Sequence, residues 1–163
     1  MRKKNRRILG WVAIGATVAV VSAVAMGTRG QETREPDGSV YTFSDVRKQT
    51  IEFHAYNRAI TLTTEQEAVM REALTGLKAP CCSDKTALTC CCDCNMAKSW
   101  WGLSKHLIAN QGLGAEQVQM AVAEWIEFIN PDGFSGTACY IRRCSRPFEE
   151  NGCGGMTEKN VIF

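Results

Sequence analysis

The run Cys90-Cys91-Cys92-Asp93-Cys94, preceded by Cys81-Cys82, places six thiols within fourteen residues. Packing does not call for that density. Neighbouring cysteines do not readily bridge each other, so each needs a partner elsewhere. Three chemistries are open to such a run: metal ligation, thiol redox exchange and a disulfide knot.

The metal reading rests on spacing. Cys91 and Cys94 form C-x-x-C, and Cys92 and Cys94 form C-x-C. C-x-x-C lets one turn of backbone present two sulfurs to a single ion, as in structural zinc sites with four tetrahedral ligands. Adjacent and alternate cysteines crowd more sulfur into less chain, which suits a soft ion such as copper(I). Cys81 and Cys82 would add ligands across the short loop Ser83 to Thr89, which closes at little entropic cost. The expected ligand set is therefore Cys81, Cys82, Cys90, Cys91, Cys92 and Cys94, holding copper(I) or zinc, with Met96, Met120 and Met156 as candidate thioether donors. Cys94 stands where a helix is expected to start. The macrodipole and unpaired N–H groups there favour an anion, which predicts a depressed thiol pKa.

The other two chemistries use the same residues. A C-x-x-C at a helix start also suits a thiol-redox protein, but the thioredoxin-like version needs a βαβ frame and the flanking segments read as helical. In the disulfide reading, Cys81, Cys82 and Cys90 to Cys94 pair among themselves and with Cys139, Cys144 and Cys153. Each closure stabilises by about 2–4 kcal/mol. The nine cysteines are an odd number, so at least one would be left over.

Other chemistry-bearing residues read as structural. On a continuous helix His106 lies about 18 Å along the axis from Cys94 and about 120° round it, so the two cannot share an ion. It reads as a partly exposed surface residue, and His54 could reach the cluster only through tertiary contact. Trp100, Trp101 and Trp125 read as core. Trp100 and Trp101 are expected to point different ways, one into the helical hairpin and the other over the cysteines. No Ser-His-Asp set, phosphate loop or carboxylate pair is present, and no catalysis is indicated.

The elements that must position the cysteines read as helices. Ser44 predicts an N-cap for a helix carrying Thr50, Phe53, Asn57 and Ile60, although Tyr41/Phe43 and Ile51/Phe53 also alternate like strands. Thr64 and Glu67 fit a capping box opening a helix over about 65–77, with Val69, Ala73, Leu74 and Leu77 on one face. Met96, Trp100, Leu103 and Leu107 make the apolar stripe of a third helix, starting near Asp93 or Asn95. Val118, Val122, Trp125 and Ile129 do the same for a fourth, over about 115–129. Gly112 and Gly114 make a tight connection, so the last two helices should form an antiparallel hairpin. Residues 131–163 show no periodicity and read as a tail folded by Cys139, Cys144 and Cys153.

The N-terminus is organised differently. Arg2, Lys3, Lys4, Arg6 and Arg7 cap an uncharged run from Ile8 to Met26. Such a run is long enough to cross a bilayer, and the basic cap keeps its N-terminus cytoplasmic. The expected outcome is a signal anchor, residues 1–26, in contact with the membrane through 8–26, with the domain outside the cytoplasm. The alternative is release by cleavage after Ala25, since Ala23-Val24-Ala25 fits a signal peptidase site. Arg6-Arg7 loosely fits a twin-arginine signal. Residues 27–39 read as a flexible tether and 40–163 as the domain. Without the basic cap the chain carries 14 Lys and Arg against 17 Asp and Glu, a net of −3. That balance offers no surface for nucleic acid.

Pro80-Cys81-Cys82, Cys90 to Cys94, the Trp100–Ile108 helix and the helix ending in Trp125 together resemble uncharacterised cysteine-rich exported bacterial proteins with a PCYCGC-type motif. The resemblance covers about residues 60–130. Gly152-Cys153-Gly154-Gly155-Met156 is similar to a recurring ending in such chains. The resemblance implies an exported protein of metal- or redox-related character. Cys82 stands where the pattern has Tyr, Ser83–Thr89 splits the thiols, and no lipobox cysteine lies near position 26.

The expected protein is thus an all-α, cysteine-rich helical domain with a helical hairpin and an irregular tail, preceded by one transmembrane helix. It holds copper(I) or zinc in the cell envelope, with an envelope protein as a further expected partner. The alternative is a disulfide-stabilised interaction module without metal, or a thiol-redox protein.

Overall fold

A computed structural model describes residues 39–90, 92–133, 146–150, 152–157, 159, 161 and 162. The expected membrane segment, the site after Ala25, most of the tether, and Cys91, Cys139 and Cys144 lie outside the described residues. Among the described residues no helix is long and apolar enough to cross a membrane.

Among the described residues four α-helices, one small hairpin and a single 3-10 turn follow in order: α1 (Val46–Ala59), α2 (Thr64–Thr75), β1 (Lys78–Ala79), β2 (Cys82–Thr86), α3 (Asn95–Gln111), α4 (Ala115–Ile129) and the 3-10 turn Phe148–Glu150. The domain is mostly helical. The hairpin was not expected: β1 and β2 pair antiparallel with a bulge between Lys78 and Ala79, so part of the supposed Ser83–Thr89 loop is a strand.

The starts of α3 and α4 are as expected, while those of α1 and α2 differ by about a residue, for local reasons. Asp45, not Ser44, caps α1; its Oδ1 accepts the Lys48 amide at 2.9 Å. Ser44 instead gives its amide to Gln49 Oε1 at 2.9 Å, while Gln49 Nε2 donates to the Thr42 carbonyl at 2.9 Å. This clamp keeps residues 42–45 out of the helix. Tyr41 and Phe43 therefore sit on a non-helical lead-in, with the Phe43 ring 5.2 Å from Trp125. The capping box of α2 forms one residue earlier than expected. Thr63 and Gln66 satisfy each other's amides at 3.3 and 3.0 Å. Thr64/Glu67 fits the same pattern, and sequence alone does not separate the two registers.

The hairpin of α3 and α4 is as expected. The α3 stripe of Met96, Trp100, Leu103 and Leu107 is fully buried, as are Val118, Val122 and Trp125 of α4. Gly112 ends α3 at φ 69°, and the Leu113 amide reaches back to the Leu107 carbonyl at 3.1 Å. This Schellman ending needs a left-handed residue, which glycine supplies without a Cβ clash. Trp125, near the end of α4, donates to Ser99 Oγ, near the start of α3, at 2.8 Å. The two helices therefore run antiparallel.

Helix α1 crosses α3 in near backbone contact. A Cβ on Gly102 would lie 1.7 Å from the Phe53 carbonyl oxygen. Phe53 then meets Trp125 edge-on with ring centres 4.9 Å apart, which closes the core above the α3–α4 pair.

Candidate functional site

Cys94 is itself the N-cap of α3, and its Sγ accepts the Ala97 amide at 3.4 Å. The two amides before Ala97 go to the tail. Asn95 N–H donates to the Gly155 carbonyl at 2.9 Å and Met96 N–H to the Cys153 carbonyl at 3.1 Å. The Asn95 side chain adds bonds to the carbonyls of Gly154 at 2.6 Å and Thr157 at 3.1 Å. Lys98, almost fully buried, gives its ammonium to the Met156 carbonyl at 2.7 Å. Two orphan donors of the helix start are thus met by the tail. Positive φ at Gly154 (71°) and Gly155 (91°) bends the tail over that start.

This docking brings Cys153 beside Cys94. Cys153 makes hydrogen-bonding contacts with Cys81 and Cys94, and Cys90 makes the same contacts with Cys81 and Cys94. The four sulfurs form a closed ring in the order 81, 90, 94, 153. Cys81, Cys94 and Cys153 are fully buried, and Cys90 is half-buried. Among the described residues no three His, Cys, Asp or Glu side chains are already arranged around one point as ligands to an ion.

Cys90 arrives on a stitched loop. The Ala87 amide bonds to the Leu77 carbonyl at 2.8 Å and the Leu88 amide to the Leu74 carbonyl at 3.3 Å. The Ala87 carbonyl accepts both neighbouring indoles, Trp100 Nε1 at 3.1 Å and Trp101 Nε1 at 3.0 Å. This corrects the expectation that the two tryptophans serve different places. They leave the helix in different directions, but their N–H groups meet at one buried acceptor.

Charge within the ring is unevenly placed. Cys90 is pulled down to about 3 by the Cys81 thiol, then by the Cys94 thiol and the Cys92 amide, against the opposing effect of burial. Donation from Cys153 pulls Cys94 down, but its own bond to Cys90, burial and the Cys90 charge together push it above the ordinary thiol value. Cys153 is raised by its bonds to Cys81 and then Cys94, and by burial. Of these three thiols, Cys90 alone is shifted toward the thiolate. The expected depression at Cys94 is reversed, because a neighbouring thiolate in an apolar setting outweighs the helix start.

Of the expected ligands, Cys81, Cys90 and Cys94 come together. Cys82 is buried on β2, and half-buried Cys92 gives its amide to the Cys90 sulfur. Cys153 was missed as a ligand and placed among tail disulfides instead. The signal that points to it is Gly152-Cys153-Gly154-Gly155, a cysteine among residues able to bend sharply. The six described cysteines are all thiols, not disulfides. His54 is buried with Nε2 2.8 Å from the Asn95 carbonyl oxygen. His106 stacks on Tyr56 with ring centres 4.3 Å apart, while its nitrogens meet Asn110 at 3.0 Å and Gln111 at 3.3 Å. Met96 is buried, and Met156 is 46% exposed.

No family model matches this chain, and no curated protein or solved structure matches it either.

Proposed function

We propose that this protein holds a thiophilic metal ion, copper(I) or zinc, on Cys81, Cys90, Cys94 and Cys153, as an exported domain tethered to the membrane by residues 8–26. The observation that carries this reading is the closed ring of four thiols from three separate parts of the chain. Donor chemistry supports it: four sulfurs satisfy the tetrahedral preference of zinc, with bonds of about 2.3 Å and sulfur–sulfur edges of about 3.8 Å. Copper(I) is satisfied by two or three of them, so the donor count favours zinc. Two amides already point at sulfurs, Cys92 N–H at Cys90 and Ala97 N–H at Cys94, and such bonds stabilise thiolates. Burial keeps competing water from three of the four. Cys82, Cys91 and Cys92 remain proposed as auxiliary donors.

The test is metal analysis of the full chain purified under reducing conditions, together with thiol counting. A stoichiometric ion that is lost in Cys90→Ser and Cys153→Ser supports the reading. A chain that neither carries nor takes up copper or zinc sinks it.

A further inference from the structure

We propose that the same ring, when metal-free, is a four-electron thiol reductant that exchanges with external disulfides through Cys90. It stands on the contacts among the four thiols and on their burial, not on the metal reading. Each sulfur touches two others, in the order 81, 90, 94, 153. Joining any touching pair leaves the other two also touching. Closure as Cys90–Cys94 leaves Cys81 beside Cys153; closure as Cys81–Cys90 leaves Cys94 beside Cys153. No thiol is stranded by either route.

Access sets the order of events. Cys81, Cys94 and Cys153 have no exposed surface, and Cys90 alone in the ring is partly open. Exchange proceeds by attack of a sulfur on a disulfide through a mixed-disulfide intermediate. Cys90 attacks as the thiolate on one sulfur of the external disulfide, whose S–S bond breaks; the leaving sulfur departs as a thiolate and takes a proton from water. Cys94 or Cys81 then attacks the Cys90 sulfur. The mixed disulfide breaks, and the second external thiol leaves with the proton of the attacking group. Two protein thiols are oxidised to one disulfide, and one external disulfide is reduced to two thiols. Cys153, beside both Cys81 and Cys94, then displaces Cys90 from the first disulfide and gives it its proton; the freed Cys90 attacks a second external disulfide, and the last ring thiol beside it closes on the Cys90 sulfur, giving two protein disulfides and four released thiols in total.

The experiment uses the full chain, metal-stripped and reduced, with glutathione disulfide as the probe. Disulfides are mapped by tandem mass spectrometry after digestion with trypsin and Glu-C. The expected products are either Cys81–Cys153 with Cys90–Cys94, or Cys81–Cys90 with Cys94–Cys153. Cys90→Ser should slow the reaction by about tenfold or more, Cys92→Ser should not, and the Cys81→Ser/Cys94→Ser variant should retain glutathione on Cys90. Mapping needs only the unaltered chain, so it decides even if a variant fails to fold. Cys153 joined to Cys139 or Cys144, or first reaction at a cysteine other than Cys90, overturns the proposal. A chain that forms the ring disulfides but binds no metal leaves exchange standing and removes the metal reading. The converse result removes exchange alone.

Discussion

The Met96 amide donates to the Cys153 carbonyl at 3.1 Å, joining the first turn of α3 to a residue 57 positions later. The bond satisfies a helix-start donor and delivers a fourth sulfur to the ring in one contact. Site assembly and capping of α3 are therefore the same event.

Cys153→Ser should abolish tight metal binding although it lies far from the cysteine run. Loss of a ligand's hydrogen-bond partner alone typically costs about 10–100-fold in affinity, so loss of the ligand should cost at least that. Competition titration against a chelator of known affinity measures it. Unchanged affinity would mean that Cys153 is no ligand.

Gly154→Ala should undock the tail. The residue sits at φ 71°, and a Cβ there would lie 2.5 Å from Phe148 Cζ. Strain and overlap together should cost about 2–3 kcal/mol. Denaturant unfolding gives the loss, and tryptic cleavage should become faster after Lys159 than within α3.

Gly102→Ala should be worse, because the clash is with backbone. Its Cβ would lie 1.7 Å from the Phe53 oxygen, and α1 cannot move away without opening the core around Phe53 and Trp125. The expected cost is about 3 kcal/mol or more. A melting temperature equal to that of the unaltered chain would show that the helices do not cross here.

Trp100→Phe and Trp101→Phe should be non-additive. Each single change leaves the Ala87 carbonyl one indole donor, at a hydrogen-bond cost of about 0.5–1.5 kcal/mol apart from packing. The double change leaves a buried acceptor without either, which should add about 1–3 kcal/mol beyond the sum. A double-mutant cycle in urea checks this; simple additivity would refute the shared acceptor.

Acid should destabilise the domain partly through His106. Burial holds its pKa below the ordinary value of 6.5, while Glu52 acts the other way. The unfolded chain therefore binds the proton more readily. The stabilising contribution is complete above about pH 6.5 and is lost as pH falls below that value toward the folded-state pKa. Its surroundings are Tyr41, Tyr56, Asn110 and Gln111, with Glu52 as the nearby charge. Unfolding midpoints between pH 7 and 5 should drop less for His106→Gln than for the unaltered chain.

Much of the helical frame was legible before any coordinates. The spacing of Met96, Trp100, Leu103 and Leu107 follows the helical period, and burial of one face is what that period implies. The Gly112 ending and the α3–α4 hairpin follow from equally local chemistry. Caps were less legible where two registers fit, as at Thr63 and Thr64, or where a side chain such as Gln49 took the amide of the expected cap.

The site was only half legible, and the reason lies in chain separation. Cys81, Cys90 and Cys94 are close in sequence, so their density alone announces shared chemistry. Cys153 joins them through carbonyls of its own segment meeting amides of α3, a pairing that leaves no trace in side-chain spacing. The location of the charge was likewise undecidable from position. A helix start alone favours the thiolate at Cys94. Once Cys90 stands against Cys94 and Cys81 with the Cys92 amide behind it, Cys90 rather than Cys94 is the thiol shifted toward the anion. Sequence by itself determined which segments are helical and that sulfur chemistry gathers at the start of α3. Tertiary structure decided which four sulfurs meet and which of them is shifted toward the thiolate, because both depend on contacts between residues that no local period relates.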